Sequence, residues 1–122
     1  MNWNLRKGLR YEDRARKYLE RHGLLLLQQN FRCRFGEIDL VMRDRDAICF
    51  IEVKFRGSLA FGGAANSLPP SKQQKIIKTA LTFLAIHDKL TGLALRFDAL
   101  LIQQQSDGSD QVEWIKNAFY AE

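Results

Sequence analysis

Apolar and polar positions alternate in steps of two along "GEIDLVMRDRDAICFIEVKFR", Gly36 to Arg56, and a charged run around Arg45 interrupts them once. The pattern predicts a hairpin, with strands over 36–43 and 48–55 and a turn at Asp44–Ala47. Ile38, Leu40 and Met42 fall on one side of the first strand, and Glu37, Asp39 and Val41 on the other. In the second strand Cys49, Ile51, Val53 and Phe55 form one side, and Phe50, Glu52, Lys54 and Arg56 the other. A turn centred between Arg45 and Asp46 sets Asp39 opposite Glu52 and Glu37 opposite Lys54. A slip of one residue would mix hydrophobes with acids on both faces, so the in-register pairing is favoured.

Helical spacing appears twice. Residues 5–22 place Gly8, Tyr11, Glu12, Ala15, Tyr18, Leu19 and His22 on one face, with Arg10, Asp13, Arg14, Lys17, Glu20 and Arg21 opposite, and Gly23 suits the position after the helix. Ser71 opens a second helix, with Gln74 completing a capping box and Ile76, Ile77, Ala80, Leu81, Phe83 and Leu84 forming its apolar stripe. It runs to about Leu90, before Gly92. "LLLLQQNFRCR", from Leu24, reads as a buried strand running into an irregular basic segment. Gly57–Pro70 reads as a loop, "LALRFDALLIQQ" as a strand, "SDGSD" as a turn and "QVEWI" as a last strand. Helix, strands, helix, strands is the order of an α/β fold: a mixed central sheet flanked by helices.

Composition narrows the class. The 122 residues fit one domain over 1–122, and 46% hydrophobic with 27% charged residues argues against disorder. The net charge of +5 favours a polyanionic partner, nucleic acid before an anionic membrane. Arg6, Lys7, Arg10, Arg14, Arg16, Lys17, Arg21, Arg32 and Arg34 concentrate that charge before residue 35, whereas the end of the chain is acidic. Two cysteines without a paired spacing argue against zinc and fit a reducing, cytoplasmic setting. The N-terminus lacks an apolar leader, and no apolar run is long enough to span a bilayer, so no membrane insertion is expected.

The charges inside the hairpin carry the chemistry. Two opposed carboxylates lie roughly 5 Å apart, and they repel unless one is protonated or a cation lies between them. Oxygen donors suit Mg²⁺ or Mn²⁺, and Lys54 stands one step away to orient a water or meet charge on a phosphate. Exposed cross-strand Glu–Lys pairing explains the same residues without any site. Glu12 lies on the apolar face of the first helix and needs a partner. A snorkelling side chain, a salt bridge to a core-edge arginine and a further metal ligand all fit it. Arg96 and Asp98 share a strand face and suit a structural ion pair or a site equally. His22 and His87 stand apart and read as helix-surface or helix-end residues. Trp3, Phe31 and Phe35, among arginines, suit either base stacking or the core. Gly62–Gly63 lacks phosphate-loop spacing.

"GEIDLV", "FIEVKFR", a Pro-Pro-Ser-Lys helix start and "RFDAL" together resemble the YraN-like family, over nearly the whole chain. That family is similar to the PD-(D/E)xK nuclease superfamily, which includes the archaeal Holliday-junction resolvases. The resemblance implies a restriction-endonuclease-like core. It implies a Mg²⁺- or Mn²⁺-dependent endonuclease acting on DNA, with shape preferred to base sequence. Asp39, Glu52 and Lys54 match the motif residues, Glu12 matches the helix glutamate of resolvase-like relatives, and Asp39, Glu52 and Glu12 become the metal ligands. Lys72 or Gln73 matches the polar residue that approaches from the following helix. Arg10, Arg14, Arg32, Arg34 and Arg56 are left to grip the phosphate backbone. Resolvase-like relatives act as dimers, so the resemblance extends to a homodimer. The chain departs from the family pattern at Tyr11, where glycine is usual, and the superfamily's motif proline is replaced by Ile38. A non-catalytic nucleic-acid-binding module and a protein-interaction component stand as rival readings.

Overall fold

The computed structural model describes residues 3–56 and 68–119, with side chains described from Tyr11 to Phe55 and from Leu68 to Phe119. Most of the loop expected at Gly57–Pro70, including Gly62 and Gly63, lies outside the described residues, as do the side chains of Trp3, Arg10 and Arg56. The elements run α1 (Trp3–Arg21), β1 (Leu25–Cys33), β2 (Gly36–Asp44), β3 (Ala47–Arg56), α2 (Pro70–Ile86), a 3-10 turn (Asp88–Leu90), β4 (Ala94–Gln104) and β5 (Asp110–Phe119). The five strands form one sheet in the order β1-β2-β3-β4-β5. All neighbours are antiparallel except β3 and β4, whose parallel pairing spans Ala47–Arg56 and is reached through α2. This is the mixed α/β sheet that the sequence predicts.

Each face of the sheet is covered by one helix. Tyr11, Ala15 and Leu19 of α1 pack with Leu24 on Leu40, Met42, Cys49, Ile51, Leu100 and Ile102. Ile76, Ala80 and Phe83 of α2 pack on Phe31, Ile38, Val41, Ile48, Phe50, Phe97 and Phe119. Both sides of β2 and β3 are therefore buried through the middle of the hairpin, over Leu40–Met42 and Ile48–Ile51.

Four local expectations are corrected. Leu25, Leu26 and Leu27 are exposed because β1 is an edge strand, and only Leu24 enters the core. The basic segment after them is not irregular but continues β1 to Cys33. Ser71 is not the cap of α2: Pro69 holds the cap position without a side-chain bond, and Gln73 Nε2 donates to Leu68 O at 2.7 Å instead. Ile38 packs on the α2 side with Val41, not on the α1 side with Leu40. The physical reason lies next door. Asn30 sits at φ 56°, between the pairs Gln29–Leu40 and Phe31–Ile38, and the left-handed residue breaks the simple alternation there. Asp39 lies at that break.

Candidate functional site

The β2–β3 register runs from Asp44–Ala47 to Leu40–Ile51 and stops there. The frame is the expected one, and Asp39 and Glu52 are the next residues along it. Beyond Leu40 the two strands part. β2 stays with β1 through Gly36, and β3 stays with β4 through Arg56. The Glu37–Lys54 pairing predicted from sequence therefore does not form in the ladder: Glu37 opposes Arg32 on β1 and makes an ion pair with it. In place of the next backbone bond, Val53 N–H donates to Asp39 Oδ2 at 2.8 Å. The hairpin thus opens into a fork with an acid at the root of each arm.

The fork is an electrostatically costly place. Asp39 is 8% exposed. Burial, then the charge of Glu52, push its pKa up to about 8 against the one opposing Val53 N–H, with Glu12 and Glu37 adding to the rise. Glu12 reaches the same place from α1. Its Oε1 is buried without a hydrogen-bond partner among the described residues. Burial and then Glu37 raise its pKa, while the Asn30 side chain and Arg32 pull the other way. Its position is neither snorkelling nor a direct ion pair. Lys72, in the first turn of α2, brings its Nζ to 3.3 Å from Glu52 Oε1. Lys54 is half-buried and lies two residues beyond Glu52, hence on the same side of β3.

The donors are all hard oxygens, one is orphaned, and two repel each other. That set fits a divalent cation of the Mg²⁺ type. Among the described residues no three acidic, histidine or cysteine side chains converge to close a shell alone. Mg²⁺ requires no such cage, since it commonly takes one or two carboxylates and leaves the remaining positions to water and substrate phosphate.

The expected backbone-gripping residues divide. Arg14 Nη1 is taken by Asp110 at 2.8 Å, on β5, and Arg32 is taken by Glu37. Arg34 lies over the Phe35 ring, 4.7 Å from its centroid. Gln73 is spent on the α2 cap. Phe31 is buried and belongs to the core. Arg96 and Asp98 resolve as structure: Arg96 binds Asp98 and also Asp44, at 2.9 Å. His22 bonds Tyr18 O at 2.9 Å, and His87 caps α2 against Phe83.

Sequence reasoning left two contributors out of the site. Glu37 raises the pKa of both Asp39 and Glu12, and its place beside Asp39 in "GEID" was the available signal. Asn30 meets Glu12, and an asparagine interrupting a strand was its only signal.

A mixed five-stranded sheet between two helices, with acids where the central hairpin divides, is an α/β architecture compatible with a restriction-endonuclease-like core. The chain itself belongs to the uncharacterised protein family UPF0102, which it matches over residues 11–102. It is 46% identical over 113 residues to a UPF0102 protein of Nitrosomonas europaea, covering 93% of this chain and 92% of that one. A Methylobacillus flagellatus relative is 46% identical over 110 residues, covering 90% and 93% of the two chains. One from Saccharophagus degradans is 46% identical over 112 residues, covering 92% and 91%. Among the described residues no helix is long and apolar enough to cross a membrane.

Proposed function

We propose that this protein is a metal-dependent endonuclease that hydrolyses phosphodiester bonds in nucleic acid, DNA first, and selects shape over base sequence. The observation that carries the reading is the fork itself. A protein gains no stability from setting Asp39, buried and short of donors, beside Glu52 and Glu12. The arrangement suits a cation of +2 charge.

Asp39 and Glu52 would hold Mg²⁺ or Mn²⁺, with Glu12 joining the shell through water. When bound, such an ion lowers the pKa of a water and neutralises charge on the phosphoryl oxygens. The chain's own residues do the rest. Val53 N–H fixes Asp39 by Oδ2 and leaves Oδ1 as the oxygen for a ligand. Lys54 holds the attacking water, or its proton, on the Glu52 side of β3. Lys72 meets the Glu52 carboxylate now and is within reach of an incoming phosphate.

The test is cleavage of labelled single-stranded, duplex, flap and four-way-junction DNA in Mg²⁺, Mn²⁺ or EDTA, with Glu52→Ala beside the wild type. Metal-dependent cutting that disappears in Glu52→Ala is expected. No cutting of any substrate, or equal cutting by the variant, would overturn the reading. Cutting that follows base sequence and ignores branching would overturn its shape preference.

A further inference from the structure

The helix α2 carries Lys72, Lys75 and Lys78 at three-residue spacing and contains no acidic residue from Pro70 to Ile86. Steps of three on a helix rise by about 4.5 Å each and make a slanting row. The row begins at the fork, where Lys72 meets Glu52 at 3.3 Å. It ends at the turn joining β1 to β2, where Lys78 Nζ lies 5.8 Å from the Phe35 ring centroid. Lys75 and Lys78 are exposed, and no ion pair engages either among the described residues. At that end the exposed Arg34 lays its guanidinium over Phe35 at 4.7 Å. A cation in the first turn of a helix opposes its dipole. Lys72 therefore weakens the start of α2 rather than supporting it.

The geometry points to this row as the track that leads one strand of nucleic acid to the fork. Lys72, Lys75 and Lys78 would take successive phosphates, and an unpaired base would stack on the Arg34 guanidinium backed by Phe35. The inference rests on the nuclease reading and sharpens its substrate: a single-stranded segment enters along α2. Evenly spaced cations fit a repeating phosphate chain, and a flat guanidinium on an aromatic ring fits a splayed base but finds no free face in a stacked duplex. An acidic polypeptide offers the charges without the bases.

The measurement is fluorescence anisotropy in EDTA, using a labelled single-stranded 20-mer and the matching duplex across a range of NaCl. Poly-L-glutamate serves as competitor. For Lys75→Gln/Lys78→Gln the slope of log affinity against log salt for the single strand should fall by about 1.4, at ~0.7 per phosphate contact. Arg34→Gln should weaken single-strand binding roughly five- to hundredfold, the worth of one stacked base, and leave the duplex nearly unchanged. An unchanged slope in the lysine variant would overturn the track. Equal loss on duplex and single strand in Arg34→Gln would overturn the stacking platform. Poly-L-glutamate competing as well as the oligonucleotide would make the row a surface for acidic protein. Because binding is read without metal, a protein that binds by this row yet never cuts would sink the nuclease reading and not the track. Metal-dependent cutting with binding untouched by these substitutions would do the reverse.

Discussion

Two acids are buried in the sheet, Asp98 on β4 and Asp39 at the fork, and their surroundings treat them in opposite ways. On β4, opposite Ile51, Asp98 is 1% exposed. It accepts from Arg96, from Trp114 Nε1 at 3.0 Å and from Asn117 N–H at 3.1 Å, while Arg96 also holds Asp44. Burial works against the Arg96 charge, but its bonds to Asp98 outweigh that and push its pKa up. At the fork, Asp39 accepts one backbone N–H, and Glu52, Glu12 and Glu37 all work against its charge. Burial alone therefore does not mark a functional carboxylate. What separates the two is the bonding of the aspartate: Asp98 accepts from Arg96, Trp114 and Asn117, while Asp39 accepts from Val53 N–H among neighbouring acids, the setting on which the proposed metal site rests.

The largest effect is expected from breaking the satisfied cluster around Asp98. Arg96→Met leaves Asp98 buried beside a lost cation and should cost about 3–5 kcal/mol in urea unfolding. A loss below about 1 kcal/mol would mean that Trp114 and Asn117 suffice for Asp98. At the fork the corresponding change, Asp39→Asn, should lower metal-dependent cleavage roughly 10²- to 10³-fold, the worth of several kcal/mol of charge stabilisation. It should leave the fold intact, and unaltered cleavage would remove Asp39 from the site.

The third comparison uses pH. Asp39 keeps its proton up to about 8 in the folded chain and releases it near 4 when unfolded. Between those values the folded state binds more protons, so stability falls as pH rises through that window. In EDTA the Tm should decline from pH 5 to pH 8. Mg²⁺ should recover more of it at pH 8 than at pH 5, and Asp39→Asn should flatten the slope. A Tm that climbs over this interval would contradict the picture. The smallest effect is expected at Glu12→Gln, which removes one repelling charge from a half-exposed place. A Tm rise of about 2 °C in EDTA is anticipated, in line with a fraction of a kcal/mol. A clear fall would show that the Glu12 carboxylate has a stabilising partner.

Much of the frame was legible from sequence. The hairpin, its turn, its register and both helices follow from apolar spacing, because the core is made of regular elements that obey it. Asp39 and Glu52 stood out as acids inside strands. Their fate did not, because "EID" and "RFD" look alike: both place an aspartate beside large hydrophobes. Only the partners brought by β4 and β5 make Asp98 structural. The parting of β2 from β3 was also hidden, since it depends on Asn30 and on an Asp39 side chain that replaces a backbone acceptor. Leu24–Leu27 read as buried because four leucines look like core, and nothing local tells an edge strand from a central one. The lysine row was present in the spacing of Lys72, Lys75 and Lys78, but its continuity with Phe35 required the packing of α2 on the β1–β2 turn.

The rim formed by β1 has a consequence for how the protein behaves in company. From Leu24 to Asn30 there is no charge and no proline to discourage another chain from extending the sheet. The guard is geometric instead. The β1–β2 register shifts between Leu26 and Gln28, so Leu27 is an extra residue that breaks the even row of amides and carbonyls along the strand. One unpaired leucine thus interrupts a greasy margin that, as an unbroken strand, would offer another chain a template.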